Sequence, residues 1–175
     1  ITTCEGADWP LSRKFGCELD MAHDLLLKAR DLGLDAQGLS FHVGSQQTNP
    51  RQWGAAIKRA AQVFHSLAEQ GLELRMLNLG GGFPVRYRKD VPEIEEVAAA
   101  IMESMSREFG DKLPRMFIEP GRIITADAGI IQTEVVLIST KDYANGVRWV
   151  YLDVGKFGGL AETMDEAIQY PLATH

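Results

Sequence analysis

Only two of the 175 residues are cysteine, Cys4 and Cys17, and neither belongs to a Cys-x-x-Cys pair or a Cys/His group at zinc spacing. That scarcity excludes a disulfide framework and a structural zinc site, and no other metal is called for. Basic residues are short as well, 18 Lys and Arg against 24 Asp and Glu for a formal net charge of −6. Nucleic acid and anionic membranes attract the opposite balance, so neither is an expected partner. No stretch approaches the roughly 18 apolar residues of a membrane span. The start, Ile1-Thr2-Thr3-Cys4-Glu5, lacks an initiator Met and the basic-then-apolar order of a secretion signal. The expectation is a reducing, cytoplasmic setting and a stretch internal to a longer product.

What is present is ordinary for a globular domain, 45% hydrophobic and 24% charged, and a chain of this length can bury about 70% of its unfolded surface. Apolar residues at steps of three and four predict a helix over residues 19–32, with Met21, Leu25, Leu26, Ala29 and Leu32 on one side and Gly33 as the stop. A short strand is expected at residues 12–16 and a buried one at residues 38–44. Asn49-Pro50 then caps the clearest helix, whose stripe is Trp53, Ile57, Ala60, Ala61, Phe64, Leu67 and Ala68, ending at Gly71. A strand over residues 74–79 leads into Gly80-Gly81-Gly82. Residues 90–109 read as a helix with Ile94, Val97, Ile101 and Met105 inward, and residues 115–118 as a strand running into Glu119-Pro120-Gly121-Arg122.

His42 to Gly80 spans 38 residues, and Gly81 to Glu119 spans 38 again. Each period holds one strand and one amphipathic helix, which implies right-handed βαβ units around a parallel sheet, either an α/β barrel or an open doubly wound sheet. The special residues all fall at the C-terminal ends of strands, the edge where both architectures bind ligands. After Arg122 the texture changes. Residues 130–139 and 147–154 are β-branched runs about a polar turn, expected to pair antiparallel, with a boundary near residues 126–129 dividing a domain of residues 1–128 from a second of residues 129–175.

Three features carry chemistry. Three glycines after a strand are either a flexible turn or a loop whose backbone N–H groups approach an anion. Glu119 and Arg122 are either a local surface ion pair or a carboxylate and a phosphate-gripping guanidinium placed at a strand end. His42, alone in an apolar strand, reads as a core residue unless other groups converge on it. Together with Ser45 they make one constellation: phosphate ligands, an aromatic plane and a carboxylate for a ring nitrogen. Pyridoxal 5'-phosphate requires that set.

Phe41-His42-Val43-Gly44-Ser45-Gln46, Leu79-Gly80-Gly81-Gly82-Phe83-Pro84, Glu119-Pro120-Gly121-Arg122 and Ala126-Asp127-Ala128-Gly129 resemble the ornithine decarboxylase family of pyridoxal-phosphate enzymes, within the alanine-racemase-like barrel group. The resemblance implies part of a (β/α)8 barrel, followed by the start of an antiparallel β domain. It implies that His42 stacks on the cofactor ring, that Glu119 meets the pyridine nitrogen, and that Ser45, Gly82 and Arg122 hold the phosphate, with Gly80 and Gly81 shaping the turn. The implied activity is decarboxylation of a basic amino acid, L-ornithine to putrescine, by a homodimer. One of Glu162, Asp165 or Glu166 would bind the substrate's cationic end, the bland alternative being an exposed acidic turn.

The family's Schiff-base lysine falls upstream of Ile1, and its phosphate-binding tyrosine and the cysteine and aspartate shared across its dimer fall downstream of His175. The chain is therefore expected to be an internal fragment, inactive alone. Three other readings stand beside this one. Diaminopimelate decarboxylase shares the glycine triplet and Glu-Pro-Gly-Arg. A non-catalytic homologue could bind the cofactor in a regulatory role. A sugar-phosphate or nucleotide α/β protein is disfavoured, because Glu119 would repel an anionic ligand.

Overall fold

The computed structural model describes residues 7–9 and 15–174. Contacts divide the chain into two compact units, Ile1–Ala126 and Asp127–His175. Among the described residues no helix is long and apolar enough to cross a membrane.

The first unit contains β1 (Ala7–Trp9), α1 (Leu19–Asp31), β2 (Gly38–Ser40), β3 (Ser45–Gln47), α2 (Arg51–Glu69), β4 (Met76–Asn78), α3 (Ile94–Phe109), β5 (Arg115–Phe117) and the single turn α4 (Arg122–Thr125). Strands β2, β4 and β5 form a parallel sheet in that order. Leu39 faces Leu77, which faces Met116, so the strands are in step and their C-terminal ends share one edge. The ladder continues past the strands through Phe41 N to Asn78 O at 3.0 Å, Leu79 N to Phe117 O at 2.9 Å and Glu119 N to Gly80 O at 2.8 Å.

The core lies between this sheet and helices α2 and α3. Trp53, Ile57, Ala60, Phe64 and Leu67 of α2 meet Val97, Ile101 and Met105 of α3 and Leu77 and Leu79 of the sheet. Truncating any one of the larger members, such as Leu67, costs about 2–5 kcal/mol. Helix α2 starts one residue later than expected, with Pro50 rather than Asn49 at the N-cap, and Asn49 Oδ1 accepts from Arg51 N at 3.1 Å.

Several sequence expectations need correction. The strand expected at residues 12–16 falls largely outside the described residues. The strands are shorter than expected, and His42 sits beyond β2 on an isolated bridge. Helix α3 starts at Ile94 rather than at residue 90, because Pro92 disfavours helical backbone in the residue before it. Ala68 and Ile94 are exposed. In α1 only Ala22 is buried, while Met21, Leu25 and Leu32 face outward; periodicity identifies a stripe but not what covers it. The antiparallel pairing of β3 with β1, Ala7 opposite Gln47 and Trp9 opposite Ser45, was not expected.

The second unit holds β6 (Val135–Thr140) and β7 (Arg148–Leu152), paired antiparallel as the β-branched runs predict, with an irregularity between Val135 and Leu137. Two 3₁₀ segments follow, Lys156–Gly158 and Ala161–Glu166. Asp153 ties the hairpin's open end: its Oδ1 accepts from Glu134 N at 2.9 Å and from the Thr133 hydroxyl, while Asp153 N donates to Glu134 O at 3.0 Å.

Candidate cofactor site

The glycine triplet begins two residues after β4, where the chain turns along the sheet edge. Gly80 accepts through its carbonyl from Glu119 N, and its own N–H donates to Asn78 Oδ1 at 2.9 Å. Gly81 lies against the strand end that carries Glu119. A methyl group there would sit 2.5 Å from the Glu119 carbonyl oxygen and 3.5 Å from His42 Nε2. Gly82 has φ +98°, and a Cβ would run into the Gly44 carbonyl oxygen, so only glycine fits both its backbone and its space. Gly82 O accepts from Gln47 N at 2.9 Å, and the neighbouring Phe83 ring rests on buried Trp53 with centroids 5.2 Å apart.

The triplet therefore bridges two chemically different groups. At its first end the exposed Glu119 carboxylate takes the Asn78 amide, Nδ2 to Oε1, at 2.6 Å. At its second end Arg122 Nη2 donates to Ser45 Oγ at 2.9 Å, and Nη1 reaches the Tyr87 hydroxyl at 3.4 Å. His42 lies along the first part. Its Nδ1 accepts from Gly44 N at 2.9 Å, so the neutral ring carries its proton on Nε2. Burial pushes the His42 imidazole below its ordinary value near 6.5, outweighing the upward pull of Glu119. A neutral, flat ring beside a glycine is shaped for stacking rather than for ion pairing.

His42, Ser45, Gly80, Gly81, Gly82, Glu119 and Arg122 are all brought to this one edge. Among the described residues no group of three His, Cys, Asp or Glu side chains could hold a metal ion. The donor set fits pyridoxal phosphate: a guanidinium and a hydroxyl for the phosphate, a backbone cradle without Cβ atoms, and a carboxylate for a ring nitrogen. Glu162, Asp165 and Glu166 belong to the second unit. There Glu162 Oε2 accepts from the Tyr170 hydroxyl at 3.4 Å, and exposed Asp165 and Glu166 adopt left-handed backbone, φ 52° and 58°.

Three participants were missed. Asn78 had a legible signal, a polar residue closing an apolar strand. Tyr87 in Arg86-Tyr87-Arg88 had none. Gln46 had none either, although its side chain pins the loop after the triplet, with Nε2 donating to Val85 O at 2.9 Å and Oε1 accepting from Val85 N at 2.8 Å.

Comparison with known proteins points to the same cofactor. Residues 2–126 match the sequence profile of the pyridoxal-dependent decarboxylase, pyridoxal binding domain. The chain is 34% identical to the lysine/ornithine decarboxylase of Selenomonas ruminantium over 93% of its own length and 40% of that protein's. It is 34% identical to the diaminopimelate decarboxylase of Vibrio cholerae over 75% of its length and 31% of that protein's. The crystal structure of lysine/ornithine decarboxylase complexed with cadaverine from Vibrio vulnificus superposes with a TM-score of 0.78 at 36% identity, covering 93% of this chain and 43% of that one. The chain thus spans about 40% of the length of such relatives, and its parallel strands are part of a (β/α)8 barrel rather than of an open sheet. It belongs to the pyridoxal-binding-domain family of the pyridoxal-dependent decarboxylases.

Proposed function

We propose that the intact protein decarboxylates a basic amino acid with pyridoxal 5'-phosphate, L-ornithine ahead of L-lysine, yielding putrescine from the former. The observation that carries this is the separation of charge along the glycine triplet, Arg122 with Ser45 at one end and Glu119 at the other. When bound, the cofactor supplies the electron sink that accepts the pair left by departing CO₂. Arg122, Ser45 and Gly82 bind its phosphate, with Gly80 and Gly81 shaping the turn. Glu119 holds the proton on the ring nitrogen, and the neutral His42 ring orients the cofactor plane. Glu162, Asp165 or Glu166 receives the substrate's terminal ammonium, a role supported by their acidity and by the substrates of the named relatives. The protein works as a homodimer in the cytoplasm.

The test is CO₂ release by the intact protein with pyridoxal phosphate and a panel of ornithine, lysine, arginine and meso-diaminopimelate. Ornithine or lysine turnover is expected. Turnover of diaminopimelate alone moves the protein to the reading supported by its identity to the Vibrio cholerae enzyme. Cofactor binding without turnover of any member would make it a non-catalytic homologue. Sedimentation of the holoprotein at twice the monomer mass is expected for the dimer.

A further inference from the structure

Asn78 uses both halves of its amide, each on a different part of the site. Its Oδ1 accepts from Gly80 N at 2.9 Å and its Nδ2 donates to Glu119 Oε1 at 2.6 Å. A backbone N–H can only donate and an ionised carboxylate can only accept, so the amide has one orientation that satisfies both. Its Cα is held as well, because Asn78 O accepts from Phe41 N and β4 is paired on both sides. Glu119 by contrast is exposed and lies two residues beyond β5, where a carboxylate on two methylenes would otherwise sample several rotamers.

We infer that Asn78 is a positioning residue for Glu119. It locks one carboxylate oxygen and leaves Oε2 for the cofactor's ring nitrogen, and it takes its own orientation from the first N–H of the glycine triplet. One side chain thereby ties the start of the glycine triplet to the ring-nitrogen carboxylate. The amide supplies both an acceptor and a donor here, whereas aspartate keeps the acceptor for Gly80 but faces Glu119 with a like charge, and leucine supplies neither. This inference rests on the proposed role of Glu119 at the ring nitrogen.

The test uses the intact protein with Asn78→Asp, Glu119→Gln and the double variant. In cofactor-free protein, Asn78→Asp is expected to lower the thermal midpoint by about 2–4 °C, because two carboxylates meet. Made in the Glu119→Gln background, the same change should cost almost nothing, since the glutamine amide can donate to the new carboxylate. Equal cost in both backgrounds, or no cost in either, overturns the inference. In the loaded protein, Asn78→Asp should lower kcat about tenfold or more, leave the pyridoxal phosphate Kd within about threefold, and change the visible circular dichroism of the bound cofactor. A parallel loss of kcat and cofactor affinity would mark a merely structural turn and overturn it. If Glu119→Gln itself left kcat unchanged, the ring-nitrogen role would fail, while the cofactor-free comparison still decides whether Asn78 holds Glu119.

Discussion

Residue by residue, the site separates groups that grip from groups that act. Arg122 and Ser45 make a charge-assisted pair whose strength does not depend on the reaction, whereas the proton that Glu119 holds matters most when electrons enter the ring. In the intact protein Glu119→Gln should therefore cut kcat about 100-fold or more with cofactor Kd changed only a few-fold. Arg122→Ala should weaken cofactor binding about tenfold or more and be partly overcome by excess pyridoxal phosphate. Equal kcat losses with untouched affinity in both would refute this division. His42 adds a pH dependence with a definite sign. Its folded-state pKa is lowered, so below about 6.5 the unfolded chain takes up a proton that the folded ring resists. Stability is then lost as pH falls from about 6.5 toward the folded value and is fully present above it. His42→Gln should remove that component, seen as a flatter dependence of the thermal midpoint on pH between about pH 5 and pH 8 than in the parent.

At the scale of elements, three consecutive strand ends do the assembling, and this part was legible from residues alone. The two 38-residue intervals place His42, the glycines and Glu119 at one edge because each interval is one βα unit. The start of α2 was legible to within one residue through Asn49-Pro50, and its buried face through the spacing of Trp53, Ile57, Ala60, Phe64 and Leu67. What could not be read was the pairing of β3 with β1, which joins Ala7 to Gln47 and Trp9 to Ser45, far apart in the sequence. The outward face of α1 and the links from Asn78 to Glu119 and from Tyr87 to Arg122 were equally hidden, since side chains 41 and 35 residues apart leave no periodic trace. The glycines give an element-scale test. Gly33 and Gly81 are both natural targets for alanine, yet for opposite reasons: Gly33 has φ +75° in open space, while a Cβ on Gly81 would come within 2.5 Å of the Glu119 carbonyl oxygen. Gly33→Ala should cost only about 1–2 kcal/mol, the left-handed penalty of a single residue, and spare cofactor binding. Gly81→Ala should displace the strand end that carries Glu119 and abolish saturable pyridoxal phosphate binding in a fluorescence titration. Binding within twofold of the parent would show that this edge yields more easily than the spacing implies.

Across the whole molecule the two units differ in how much apolar surface they cover. The first has a sheet closed on one face by α2 and α3, with Trp53, Leu67, Leu77 and Met105 fully buried. In the second, Leu137 and Ile138 are adjacent on β6 past its irregularity and therefore point to opposite faces, yet they are 54% and 52% exposed. Trp149 and Val150 on β7 repeat the pattern. A two-stranded ribbon with neither face covered is marginal in water, because its few ladder hydrogen bonds cannot offset the chain entropy lost. Hydrogen exchange on the 175-residue chain should accordingly show the slowest amides at Leu77, Leu79 and the buried turns of α2 and α3, with those of Val135–Thr140 and Arg148–Leu152 exchanging near the rates of an unstructured peptide. In the intact protein the hairpin amides should slow by at least about a hundredfold, as its apolar faces are covered. Hairpin amides already as slow as Leu77 in the 175-residue chain would mean that the pairing anchored by Asp153 and Thr133 stabilises the ribbon without any cover.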